Sequence, residues 1–126
     1  MDGEGFSVAS GGSVELELLT GSEHASRFFF GLGSVSGTTP GVPIHGHVIP
    51  LNPFDPYFSI SVAGGAPLSP QFGGLDLSGR GSSTFSLAPA GPAVAGLDVH
   101  HAFVVIDPST LLVEHATNPV GFELLP

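Results

Sequence analysis

Short runs in which apolar residues alternate with Ser, Thr or Glu are cut at close intervals by Gly and Pro, and this punctuation constrains the fold more than any other feature. The chain carries 19 glycines and 12 prolines, residues that break regular elements and concentrate at turns and sheet edges. So much Gly and Pro would suit a low-complexity chain, yet 41% of the residues are hydrophobic and ten are Phe, which demands a core. Many short strands joined by many turns satisfy both requirements. A chain of 126 residues has room for one domain, spanning 1–126, that buries about two thirds of its unfolded surface.

Eleven carboxylates face only Arg27 and Arg80, for a formal charge of −9. No basic stripe exists to neutralise a phosphate backbone, so nucleic-acid binding is excluded as a function class. The same sign disfavours anionic membranes, and no apolar run approaches the ~20 residues of a spanning helix, so no membrane insertion is expected. Zero Cys removes disulfides, thiolate zinc sites and cysteine nucleophiles. Residues 1–5 are acidic and lack an apolar h-region, so no signal peptide is read there. That leaves a cytosolic protein or a mature piece of an exported one. The richness in Gly, Pro, Ser and Ala without Lys favours an exported module, extracellular or at the cell surface.

Along the chain, 13–20 places Val14, Leu16 and Leu18 on one face and Glu15 and Glu17 on the other, a half-buried strand. Before it, Phe6 and Val8 alternate with Ser7 and Ala9. Phe28, Phe29 and Phe30 make 27–32 apolar on both faces, as in a central strand. A loop or edge excursion over 33–43 precedes a short strand over 45–51, and 52–56 is turn chemistry. Phe58, Ile60 and Val62 alternate with Ser59 and Ser61, which predicts a strand over 57–62. A loop is expected over 63–74, then a hairpin over 75–80 with Gly79 left-handed, a strand over 84–87 with Phe85 and Leu87 inward, and a crossing between sheets over 88–96. The β-branched run 101–106 is the expected central core strand, followed by a turn at 107–110, a return at 111–116 and a closing strand at 120–125. No segment shows a helical stripe. About eight or nine strands at this spacing predict an all-β, two-sheet Greek-key sandwich of immunoglobulin or fibronectin type III character, with a jelly roll or closed barrel as the alternative.

Several phrases resemble an uncharacterised β-sandwich module found near the C-termini of secreted or surface proteins of planctomycete-type bacteria. They are Gly33-Ser34-Val35-Ser36-Gly37-Thr38, Pro40-Gly41, Ile49-Pro50-Leu51-Asn52, Asp55-Pro56-Tyr57-Phe58, Leu75-Asp76 with Gly79-Arg80, Ala95-Gly96-Leu97, and His100-His101-Ala102-Phe103-Val104-Val105 followed by Thr117-Asn118-Pro119-Val120. Gly81 stands where a small residue such as Ala is expected. The resemblance implies an exported accessory domain and assigns no functional residue, and likeness of fold does not give function.

His45-Gly46-His47 would project two imidazoles to one face of a strand, and with His100, His101, His24 and His115 could supply a zinc or copper site. A metal centre needs three or four converging ligands, and a bare H-x-H more simply reads as structural or solvent-exposed. Asp55, Asp76, Asp98, Asp107 and Glu114 are oxygen donors of the kind calcium prefers, but lack the spacing of a calcium loop and read more simply as turn caps and solubilising charge. Glu15 and Glu17 read as a polar face that discourages edge pairing. No G-x-S-x-G is present, no glycine cluster has the setting of a phosphate loop, and without Trp there is little platform for sugar stacking.

These features point to a non-enzymatic structural or interaction module with no catalytic residues and no cofactor. Its expected partners are other protein domains or, through strand edges, copies of itself. The alternatives are a carbohydrate or surface-polymer binder using Phe54, Tyr57 and Phe72, and a histidine-based metal-binding protein built on His45, His47, His100 and His101.

Overall fold

The alternation of the sequence becomes layering. The computed structural model describes residues 6–7, 10–89, 96–117 and 119–125. Over these the chain runs β1 (Phe6–Ser7), β2 (Gly12–Leu19), a 3₁₀ turn (Ser22–His24), β3 (Phe28–Ser34), β4 (Val42–Ile44), β5 (His47–Ile49), α1 (Pro56–Val62), β6 (Leu68–Ser69), β7 (Phe72–Gly74), β8 (Arg80–Leu87), β9 (Asp98–Ile106), β10 (Val113–Ala116) and β11 (Val120–Leu125). One sheet has the order β1-β11-β9-β3-β7, with β10 also on β9. The second is β2-β8-β6, and β4 and β5 form a separate hairpin. Every pairing is antiparallel except β1 on β11. Neither sheet closes on itself, so the fold is the expected open β-sandwich and not a barrel.

Strand β9 explains the architecture. Val99, Phe103 and Val105 pack in the core between the sheets with Val14, Leu16, Leu18, Phe29 and Phe85. Ala102 and Val104 belong to a second core with Leu32, Ile49, Leu51, Phe58 and Val113, under the β4–β5 hairpin and α1. Successive side chains of a strand point to opposite faces, and a strand covered on both is apolar throughout. Each fully buried Leu or Phe stabilises the fold by roughly 1.5–3 kcal/mol. The 101–106 run is thus the central core strand that its composition predicts, and β3, between β9 and β7, explains the doubly apolar Phe28–Phe30 segment.

Three readings of the sequence are corrected. The segment 57–62 is helix α1: Asp55 caps it, accepting from the Phe58 N–H at 2.8 Å, and Pro56 occupies its first turn, the position where a missing N–H costs nothing. Its buried residues are Phe58 and Ser61, at helical spacing, while Ile60 and Val62 are exposed; the alternation predicted the wrong face. The stretch 63–74 holds two short strands, β6 and β7. His45 lies in the β4–β5 turn at φ 49° and only His47 enters β5. Gly79 takes the left-handed conformation its hairpin requires, φ 78°. The readings at 1–5, Val8, Ala9 and 90–95 lie outside the described residues.

Candidate functional site

Helix α1 is fixed by one buried carboxylate. Asp55 Oδ1 accepts from Phe58 N–H, while Oδ2 accepts from Val35 N–H (2.8 Å), Ser36 N–H (3.1 Å) and Ser36 Oγ–H (2.7 Å). Burial pushes this carboxyl up, but the hydrogen bonds from Ser36, Phe58 and Val35 outweigh it and hold it below the usual carboxylate range. Both oxygens therefore serve the link between β3 and α1. Ser61 closes the other end, donating to Phe58 O at 2.8 Å and accepting from Gly33 N–H at 3.2 Å.

So held, Tyr57 passes over Gly33 to reach β9, its hydroxyl 2.7 Å from His101 Nε2. A Cβ on Gly33 would lie 2.4 Å from Tyr57 Cε2 and 3.0 Å from His101 Cδ2, so only glycine admits this contact. His101 is wholly buried among Phe85, Phe122 and Tyr57. Desolvation, with a lesser contribution from the charge of His100, lowers its pKa to about 4, so the ring is neutral at pH 7. Burial, with the negative charge of Asp55, pushes the Tyr57 phenol well above its ordinary value. Among the described residues, His101 Nδ1 has no hydrogen-bond partner; in either tautomer one ring nitrogen is unsatisfied. The pair is a polar link in an aromatic core, with His101 wholly buried and Tyr57 half-buried at the edge of that core.

Beside this link the two sheets part into a cleft of about 390 Å³. Its walls include Val35, Tyr57 and Ile60 on one side and Leu87, Leu97 and Leu124 on the other. This is the size at which small-ligand and side-chain pockets begin, and its lining among the described residues is aliphatic and aromatic, with the Tyr57 hydroxyl bonded to His101.

The four histidines proposed as metal ligands are dispersed. His100 and His101 are consecutive on β9 and point to opposite faces. His45 Nδ1 accepts from Val113 N–H at 2.9 Å, tying the hairpin to β10, and because His45 sits in the turn it does not share a strand face with His47. Instead, imidazoles meet at the end of β10. His24 stacks on His115 with centroids 4.9 Å apart, its Nδ1 is 2.5 Å from Glu114 Oε2, and Arg27 Nε donates to Glu114 Oε1 at 2.9 Å. His115 is lowered by burial and then by the charges of His24 and His47, against the opposing pull of Glu23 and Glu114. Among the described residues no three His, Asp or Glu side chains form a group able to hold a metal ion.

The remaining sequence candidates fall into plain roles. Asp76 Oδ1 accepts from Ser78 N–H, Ser78 Oγ–H and Arg80 N–H, and Asp107 Oδ1 from Ser109 N–H and Oγ–H; both are turn caps. Asp98 is exposed at the start of β9. Phe54 is 84% exposed, and Phe72 is half exposed against Phe28 and Phe30, whereas Tyr57 turns inward. Sequence reasoning missed the Asp55 hub and the Tyr57–His101 link. The signal for the first was Asp55-Pro56, a cap followed by proline; the second joins residues 44 apart and left no local trace.

No family model matches the chain, and no curated protein matches it. Among solved structures, WR4, a C. elegans MSP family member, superposes with a TM-score of 0.48 at 12% identity over 95% of this chain and 90% of that one, a likeness below the level at which fold or function transfers.

Proposed function

We propose that this chain is a non-enzymatic interaction module of an exported or cell-surface protein, taking apolar side chains of a partner polypeptide into the cleft beside α1. The carrying observation is the cleft itself: about 390 Å³ of aliphatic and aromatic wall, with its nearest polar pair, Tyr57 and His101, engaged with each other. Recognition by desolvation suits such a surface, and chemistry does not. Richness in Gly, Pro, Ser and Ala without Lys supports export.

The test is selection of displayed random peptides against the protein and against Ile60→Asp, which alters a half-exposed wall residue and leaves the core alone. Enriched peptides share an apolar anchor and bind the variant at least about tenfold more weakly. A selection without a common anchor, or one indifferent to Ile60→Asp, overturns the reading. A second reading, binding of a surface polymer, draws support from the exposed ring of Phe54. It predicts retardation in polysaccharide affinity gels that Phe54→Ala abolishes.

A further inference from the structure

We infer that the outer edge of β2 accepts an extended, cationic segment of another protein as an added strand. This site shares no lining residue with the cleft and does not depend on it. Strand β2 ends its sheet and pairs, among the described strands, with β8 alone. Thr20 N–H donates to Gly79 O at 3.0 Å, which fixes the alternation of the ladder. Residues Val14, Leu16 and Leu18 exchange bonds with β8, and the N–H and C=O groups of Ser13, Glu15, Glu17 and Leu19 point the other way. An eight-residue strand with one such row unpaired by any other described strand is a template for pairing.

The surroundings specify what pairs there. Beneath the edge, between β2 and β11, lie a hollow of about 380 Å³ lined by Glu15, Leu16, Glu17, Leu19 and Val120 and one of about 260 Å³ lined in part by Leu18, Phe103 and Val120. Alternate side chains of an incoming strand would enter these hollows. Glu15 and Glu17, which also rim the first hollow, are exposed on the outer face; their cross-strand neighbours are Thr84 and Ser82, and Arg80 lines that face with them beside Asp76, three carboxylates to one guanidinium. The described salt bridges involve Arg27 with Glu114 and His24 with Glu114, and Arg80 acts on Asp76.

A second copy laid antiparallel on this edge would set Glu15 and Glu17 against themselves in a chain of charge −9, and like charges facing each other across strands destabilise. The occupant is therefore a segment with basic residues at alternate positions and apolar ones between. Main-chain bonds supply its affinity and the alternating side chains its selectivity.

The experiment uses three blocked eight-residue peptides: alternating Lys and Val, alternating Glu and Val, and the Lys–Val peptide N-methylated along its pairing edge. Calorimetry and amide spectra of the whole protein are recorded with each. The Lys–Val peptide is expected to shift and protect the amides of Ser13, Glu15, Glu17 and Leu19, with affinity falling at least about tenfold for either other peptide. The double variant Glu15→Lys with Glu17→Lys, both surface positions, should prefer the Glu–Val peptide. Equal binding of the N-methylated peptide would reduce the effect to bulk charge attraction. That result, shifts confined to other strands, or self-association of the unmodified protein through β2 in sedimentation each overturn the inference.

Discussion

Two histidines with aromatic and polar neighbours behave in opposite ways here. His101, on the central strand, has one polar partner among the described residues and is walled by rings. His24, on a surface turn, has a carboxylate beside it and a second imidazole stacked on it. Desolvation dominates the first, so its neutral form is part of the native core; the second is tied by a hydrogen bond to Glu114 at the end of β10. The difference teaches that the surroundings of an imidazole, more than its neighbours in sequence, decide whether it serves as a core side chain or as a surface link.

The comparison breaks first at Gly33. Gly33→Ala pushes a methyl into Tyr57 and His101, and overpacking of this kind costs roughly 3 kcal/mol, at the upper end of its range. Chemical denaturation should show that loss, with Gly31 or Gly65 no substitute control because each has tight contacts of its own. A near-neutral result would mean that the Tyr57–His101 contact is loose.

Next is the pH dependence. The folded pKa of His101, about 4, lies below its ordinary 6.5, so between these values the unfolded chain binds more protons. Its contribution is fully present above pH 6.5 and is lost as pH falls toward 4, on the order of 3 kcal/mol in all. His101→Phe should flatten the stability profile in that window even if it lowers stability at pH 7. Retention of the full slope would shift the origin to the surface cluster. The depressed carboxyl of Asp55 acts lower, where its contribution is lost as pH falls below 3.8.

Tyr57→Phe removes the hydrogen bond that the Tyr57 hydroxyl makes with the His101 ring and should cost about 1–2 kcal/mol with little change in the circular-dichroism spectrum. The smallest effect is expected at the surface. Glu114→Gln, which weakens the contacts to His24 and Arg27, should cost less than about 1 kcal/mol and fade in high salt. An effect larger than that of Tyr57→Phe would invert the contrast between the two histidines.

Much of the sandwich was legible because strand periodicity is local. Val14, Leu16 and Leu18 against Glu15 and Glu17, and the doubly apolar runs at 28–30 and 101–106, need no partner to be read. The helix was not read because Phe58, Ile60 and Val62 mimic a strand and outvoted Asp55-Pro56. Six residues cannot separate period two from a single helical turn when the capping signal is discounted. The candidate site was legible only in pieces: Tyr57 and His101 were each singled out, one as a ligand contact and the other as a metal donor, and neither as the partner of the other.

What the sequence determined by itself is the material of the fold: the strands, the turns at Gly79 and Asp107, the acidic charge and the absence of thiol chemistry. These follow from backbone preference and side-chain alternation, which act between neighbours in the chain. Tertiary structure alone decided which histidine is buried, that Asp55 joins β3 to α1, where the cleft opens and which strand is left as an edge. Those outcomes depend on burial and on contacts between distant residues, and both arise only when the sheets stack.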